Sequence, residues 1–290
     1  MSANAVITGG WRRRVMPAWP GGGALNAVCI LIIALAVVMA AFGPLLAPHN
    51  PNAVNLTYAY GGPTAGHLVG FDSQGRDLLS RLLVGARTAM IGPLVVVVVS
   101  MVSGSLLAVA AAWWGGWVDS VASAVIDVLF AFPGILLAIL ATAVFGVGLT
   151  AAAVALMIAY APYVARVLRS AAVRERSGDY VAALEVQGQS ATRICVKHIL
   201  PNLLRLIVAE ATILFGWAML DLAAISFLGL GVQPPQADWG VMVSEGETGV
   251  LQGYPAESLA AGIAIVLVVV AFNILGERLA ERALERDAWA

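Results

Sequence analysis

Three carboxylates, Asp127, Glu210 and Asp221, fall inside long apolar stretches of the sequence. A charge there is expensive, ~2.5–3.5 kcal/mol for an Asp at the centre of a membrane helix on insertion scales, so such groups usually face a cavity or a partner. They are the candidate translocation-path residues. Glu210 and Asp221 stand eleven residues apart, which at 100° per residue leaves them roughly 20° apart on one helical face. The two are expected to point inward together. Three acids with no base inside the membrane suit a proton or cation relay, a hydrated polar route, or hydrogen bonds between helices, and the spacing leaves all three open.

Other chemistry finds little footing. A phosphate-cradling loop needs glycines followed by Gly-Lys-Ser/Thr, but the one lysine, Lys197, stands between Val196 and His198. The chain is therefore not expected to bind ATP by that motif. Neither a Gly-x-Ser-x-Gly elbow nor a His-Glu-x-x-His motif occurs, so no catalytic residue is assigned. Cys29 and Cys195 lie at no metal or redox spacing. His49, His67 and His198 are far apart in sequence with no ligand at metal-site spacing, so no metal site and no bound cofactor are expected.

The elements that would position these groups are membrane spans. Of 290 residues, 60% are hydrophobic and 11% charged, against roughly 45–50% and about 25% in soluble domains. A net charge of -1 offers no field for nucleic acid. A crossing of ~30 Å needs about 20 apolar residues, and the blocks at about 25–47, 90–112, 121–145, 149–167, 206–230 and 259–275 meet or approach that length. The expected fold is an all-α membrane protein with six transmembrane helices. The first block follows Arg12, Arg13 and Arg14 but exceeds a signal peptide's ~7–15-residue apolar region, so it reads as a retained helix. Residues 48–84 form an external segment whose Leu78, Leu79, Leu82 and Leu83 fall on one face of a short amphipathic helix. Ser100, Gly104, Ala108 and Ala112 recur every four residues in the second crossing, a face small enough for close helix packing. Pro133 and Pro162 are expected to kink the third and fourth.

Basic residues set the orientation. Arg12–Arg14, the group Arg169, Arg174, Arg176, Arg193, Lys197 and Arg205, and the group Arg278, Arg282 and Arg286 fall on one side of a six-crossing chain. The positive-inside rule makes that side, with both termini, cytoplasmic. Arg76, Arg81 and Arg87 are exceptions on the outer side. The tail 1–24, the core 85–280 of five crossings with its cytoplasmic loop 168–205, and the tail 281–290 complete the organisation.

That loop contains Asp179, Tyr180, Val181, Ala182, Ala183 and Leu184, then Gly188, Gln189 and Ser190, and later His198, Ile199, Leu200, Pro201 and Asn202. In these residues the chain resembles the inner-membrane permeases of binding-protein-dependent ABC importers, specifically the dipeptide and oligopeptide family. The segment is similar to that family's cytoplasmic EAA loop, except that Ala182 stands where the pattern has Glu. Further resemblance lies in His67–Asp72 with Gly75-Arg76-Asp77 and Gly85-Ala86-Arg87, in Ser226–Pro235 with Asp238-Trp239-Gly240, and in Phe272–Glu277.

The resemblance implies a type I ABC importer transmembrane domain without catalytic function of its own, in the cytoplasmic membrane. It implies that Asp179, Tyr180, Val181, Ala182, Ala183, Gly188, Ser190, Leu200 and Pro201 belong to a short helix docking into an ATPase. It also implies a second homologous permease, two ATPase subunits or one fused ATPase holding ATP and Mg, and an extracytoplasmic solute-binding protein delivering di- or oligopeptides. Nickel, glutathione and other small solutes are alternatives within the family. A proton-coupled carrier and a membrane scaffold are the readings outside it.

Overall fold

The computed structural model describes residues 22–130 and 133–287. Arg12–Arg14 and the ends of both tails lie outside them. Among the described residues the chain is helical, with isolated bridges in place of strands.

Five helices are long and apolar enough to cross a bilayer: α1 (Gly22–Leu46), α2 (Leu78–Trp114), α5 (Leu149–Arg176), the continuous run Ala191–Phe227 that ends in α8 (Leu200–Phe227), and α11 (Ala256–Asp287). The remaining crossing, third in chain order, is in two pieces. α3 (Gly116–Phe130) and α4 (Gly134–Phe145) are each shorter than the about 20 residues a crossing needs, and α4 starts afresh with Pro133 as its N-cap. Pro133 interrupts this crossing. Pro162, by contrast, lies buried inside an unbroken α5.

The expected amphipathic helix at 78–83 is the first turns of α2, joined to the second crossing without a break. Asp77 caps it, its side chain accepting the Ser80 N–H at 2.9 Å, which satisfies an N–H that has no partner within the helix. The small-residue face of α2 packs on α5 as its spacing predicts. A Cβ on Gly104 would meet Val164 Cβ at 2.5 Å and the Ala161 carbonyl at 2.7 Å, and Ser100 Oγ donates to the Met157 carbonyl at 3.3 Å. Gly43 brings α1 equally close to α2 at Leu83. Gly216 and Gly276 let α8 and α11 cross, with Phe215 stacked on Phe272 at 4.1 Å.

In the segment expected to be external, 228–255 folds back through α9 (Trp239–Glu245) and α10 (Glu247–Leu251). Asp238 caps α9 through Gly240 and Val241 N–H, and burial pushes its carboxyl above the ordinary range while hydrogen bonds to Thr88, Val241, Gly240 and Ser226 oppose that shift. Trp239 is fully buried and donates its indole N–H to the Leu82 carbonyl at 2.9 Å. This bond ties the outer loop to α2. The outer arginines have the same destination. Arg76 and Arg81 are buried and both donate to Glu245 Oε2, at 2.8 and 2.6 Å, while Arg76 also pairs with Asp72. Two of the three exceptions to the charge rule are therefore neutralised inside the fold, and Arg87 alone of them is exposed.

Candidate coupling helix and translocation face

What reads in sequence as a cytoplasmic loop is mostly helix. α5 runs on to Arg176, α6 (Asp179–Val186) follows after two residues, and α7 (Ala191–Ile194) leads through a π-helical turn, Cys195–Ile199, into α8. The π turn has a local cause. Pro201 has no N–H to offer the carbonyl four residues back, and the Leu200 N–H reaches five residues back, to Cys195.

The ends of α6 are defined by backbone chemistry. After Gln187, Gly188 takes φ +73°, its N–H reaching the Glu185 carbonyl at 2.9 Å, and the Gln189 N–H reaches the Leu184 carbonyl at 3.1 Å. This pair of bonds closes a helix C-terminus through a left-handed residue, for which glycine pays no Cβ penalty. A Cβ at Gly188 would meet nothing within 4 Å, so its requirement is conformational within this chain.

α6 has one fixed face and one free face. Val181 is fully buried in a small apolar core with Val109 of α2, Ala171 and Ala172 of α5, and Ile194, Ile199 and Leu203, an anchor contributing roughly 1.5–3 kcal/mol. Polar contacts flank it. The Tyr180 hydroxyl donates to Glu175 Oε2 at 2.7 Å, and Asn202 Nδ2 donates to the same oxygen at 3.0 Å. Burial and the Glu175 carboxylate push the Tyr180 phenol up to about 12, so it remains a donor at physiological pH. Arg176 pairs with Glu185 at 2.7 Å and lies 4.2 Å over the Trp113 ring. These contacts fasten α6 to α2, α5 and α8 together. The opposite side, Asp179, Ala182, Ala183 and Val186 at i, i+3, i+4 and i+7, is exposed. Val186 is 89% exposed.

Of the residues singled out by sequence, Asp179–Ala183 share α6 and Gly188 ends it. Ser190 precedes α7 without a side-chain cap bond, Leu200 packs beside the small core, and Pro201 is exposed at the start of α8. Glu175 was not named from sequence, Arg176 counted there only toward orientation, and Glu185 and Val186 belong to the same resembling segment but were given no role of their own. Val186 follows Ala182 and Ala183 at helical spacing on the same face, which is the signal that could have found it.

The three membrane carboxylates do not converge. Asp127 of α3 is exposed and pairs with Arg166 of α5, so the expectation of no base within the membrane is corrected: Arg166 falls inside the fourth apolar block. Asp221 accepts the Tyr160 hydroxyl at 2.6 Å, and Glu210 lies beside Tyr163. Both α8 carboxylates thus face α5, and each has a tyrosine neighbour there.

Residues 104–286 match a family described as the binding-protein-dependent transport system inner membrane component. The chain belongs to this family. It is therefore a multi-pass membrane protein and the permease component of a binding-protein-dependent system. Among curated proteins it is 37% identical over 255 residues to the dipeptide transport system permease protein DppC of Alkalihalophilus pseudofirmus, covering 88% of this permease and 84% of that protein. It is 36% identical to the probable D,D-dipeptide transport system permease protein DdpC of Escherichia coli (88% and 86% covered). It is 35% identical to the glutathione transport system permease protein GsiD of Pectobacterium atrosepticum (86% and 83% covered).

Proposed function

We propose that this permease forms half of a translocation path for di- or oligopeptides across the cytoplasmic membrane, driven by ATP hydrolysis in separate subunits docked on α6. The observation that carries the peptide class is the 35–38% identity, over nearly nine-tenths of the chain, to permeases named for dipeptides and peptides. Family membership makes a solute-binding protein and an ATPase its natural partners. ATP and Mg would be held by two ATPase subunits or one fused ATPase, and a second homologous permease would complete the path. In this arrangement both termini and α6 are cytoplasmic.

The geometry of α6 supports the coupling role. A helix that transmits domain closure must be rigid relative to the spans it moves and must offer a free surface to its partner. α6 meets both needs through buried Val181 and exposed Ala182, Ala183 and Val186. The surface is apolar where the resembling pattern carries Glu, so docking here is by shape and apolar contact. Coupling also requires two states of the spans that ATP binding biases differently. Glu210 and Asp221, each beside its tyrosine, and the Asp127–Arg166 pair are candidates for polar groups exchanged between those states.

A second reading, glutathione, keeps the architecture and rests on the GsiD relatives. The test of the coupling role is site-directed cross-linking from Ala183→Cys in the assembled transporter. A cross-link to a phosphate-loop ATPase subunit that is absent from an Ile158→Cys control supports it. Equal labelling from both positions, or none from Ala183→Cys in a complex that hydrolyses ATP, would refute it.

A further inference from the structure

His49 and His67, eighteen residues apart in the external segment, stack face to face with ring centroids 4.1 Å apart and an interplanar angle of 22°. The buried Asp77 carboxylate lies beneath them, its Oδ1 2.9 Å from His67 Nδ1 and its Oδ2 3.8 Å from His49 Nδ1. One donor atom from each residue falls within 4.8 Å of the others. Sequence spacing hid this, because a loop rather than a helix or strand brings the two histidines together.

We propose that His49, His67 and Asp77 form a binding site for one divalent cation of the zinc class at the outer end of α2. Two imidazoles and one carboxylate suit Zn²⁺, Co²⁺ or Ni²⁺ rather than the all-oxygen preference of Ca²⁺ or Mg²⁺. Ligand atoms at ~2.0–2.1 Å on a tetrahedral ion stand about 3.3 Å apart, and one donor atom from each of the three residues already lies within 4.8 Å of the others. Small ring rotations close the difference, and His49, 40% exposed at its side chain, has room to make them. Its exposure also provides the entry path and leaves a coordination position to water.

The surroundings hold the ligands. Ser80 Oγ donates to Asp77 Oδ2 at 2.6 Å and accepts the His49 backbone N–H at 3.1 Å, and Phe71 lies 4.4 Å from the His67 ring. Such outer contacts orient metal ligands and add to affinity. Binding takes the His67 tautomer that carries its proton on Nε2, so that the Nδ1 lone pair beside Asp77 becomes the ligand. Because Asp77 caps α2, an ion here fastens the segment 48–77 to the start of the permease core. The outward placement rests on the proposed orientation; the binding itself does not.

The test uses the full-length chain in detergent, purified through a tag without histidine and stripped with chelator. ZnCl₂ is titrated calorimetrically, and CoCl₂ is followed by its visible absorption bands. One equivalent bound per chain, weakened at least ~10-fold in His49→Ala and in His49→Gln with the Co²⁺ bands lost, is the expected result. Among the described residues the His49 side chain makes only the His67 stack and the Asp77 contact, so both variants are expected to fold and to melt within a few degrees of the parent without metal. Absence of saturable binding at 100-fold excess metal overturns the proposal, as does binding unchanged in both variants. Neither outcome touches the peptide reading, which is scored by uptake.

Discussion

Replacing Gly188 separates two demands on the end of α6. The residue sits at φ +73°, a conformation that costs an L-residue about 1–2 kcal/mol, so Gly188→Ala should lower the population of the closed helix end roughly 5–30-fold at most. Asn tolerates this region, and Gly188→Asn should lose less. Gly188→Leu carries the backbone cost of Ala, and its Cβ meets no described atom within 4 Å. A further loss in the Leu variant with α6 still folded therefore points to contact with another subunit. The assay is ATP-dependent uptake and ATP hydrolysis measured together in proteoliposomes holding the assembled transporter. We expect uptake per ATP to fall in the order Gly, Asn, Ala, Leu, with Leu at least tenfold below Ala, α6 still anchored by Val181 and the complex still assembled. Equal coupling ratios for Leu and Ala would refute the placement of Gly188 against an ATPase.

Three further outcomes follow from the packing and charges. Gly104→Val forces α2 away from Val164 and Ala161, an overpacking cost of about 1–3 kcal/mol that a lowered melting temperature in detergent would register. Arg81→Met leaves Glu245 and Asp72 with Arg76 alone, and breaking a buried pair this way costs about 3–5 kcal/mol; Glu257→Gln, whose two carboxylate oxygens accept no hydrogen bond among the described residues, should be tolerated in the same melting assay. Because the folded Tyr180 pKa is raised, its contribution is fully present below the unfolded value near 10 and is lost as pH rises toward about 12. Coupling should therefore be flat from pH 6 to 9, and a decline in that window, reversed by Tyr180→Phe, would contradict the assignment.

Apolar block length located the crossings because the bilayer requires about 20 apolar residues wherever the chain spans it. The same logic treated Leu78–Leu83 as separate from the second crossing, since charges at Arg76, Asp77 and Arg81 looked solvent-facing. Arg76 and Arg81 instead find Glu245, more than 160 positions away, a pairing no local pattern contains. The four-residue repeat through Gly104 was legible because helix packing imposes it on one strip of residues. Pro133 was legible as a disturbance, though whether a proline bends or interrupts a helix depends on its neighbours. In α6, resemblance marked Asp179–Ala183 and Gly188, and helical spacing places Val186 beside them. The roles of Glu175 and Arg176 stayed hidden because their partners, Tyr180, Asn202 and Trp113, come together only when α2, α5 and α8 pack. The carboxylates show the converse limit: Glu210 and Asp221 both face α5, but their tyrosine neighbours lie on that other helix.

Movement of peptides on energy delivered through α6 is what this permease is proposed to perform. This is tested most directly by reconstituting the permease with its partner permease, ATPase and solute-binding protein, and measuring uptake of a labelled dipeptide with glutathione and Ni²⁺ as competitors. The account predicts accumulation that requires ATP, competes with unlabelled di- and tripeptides, and disappears in Gly188→Leu while ATP hydrolysis continues. Accumulation without ATP, or ATP-driven uptake of glutathione or Ni²⁺ with no peptide transport, would contradict it.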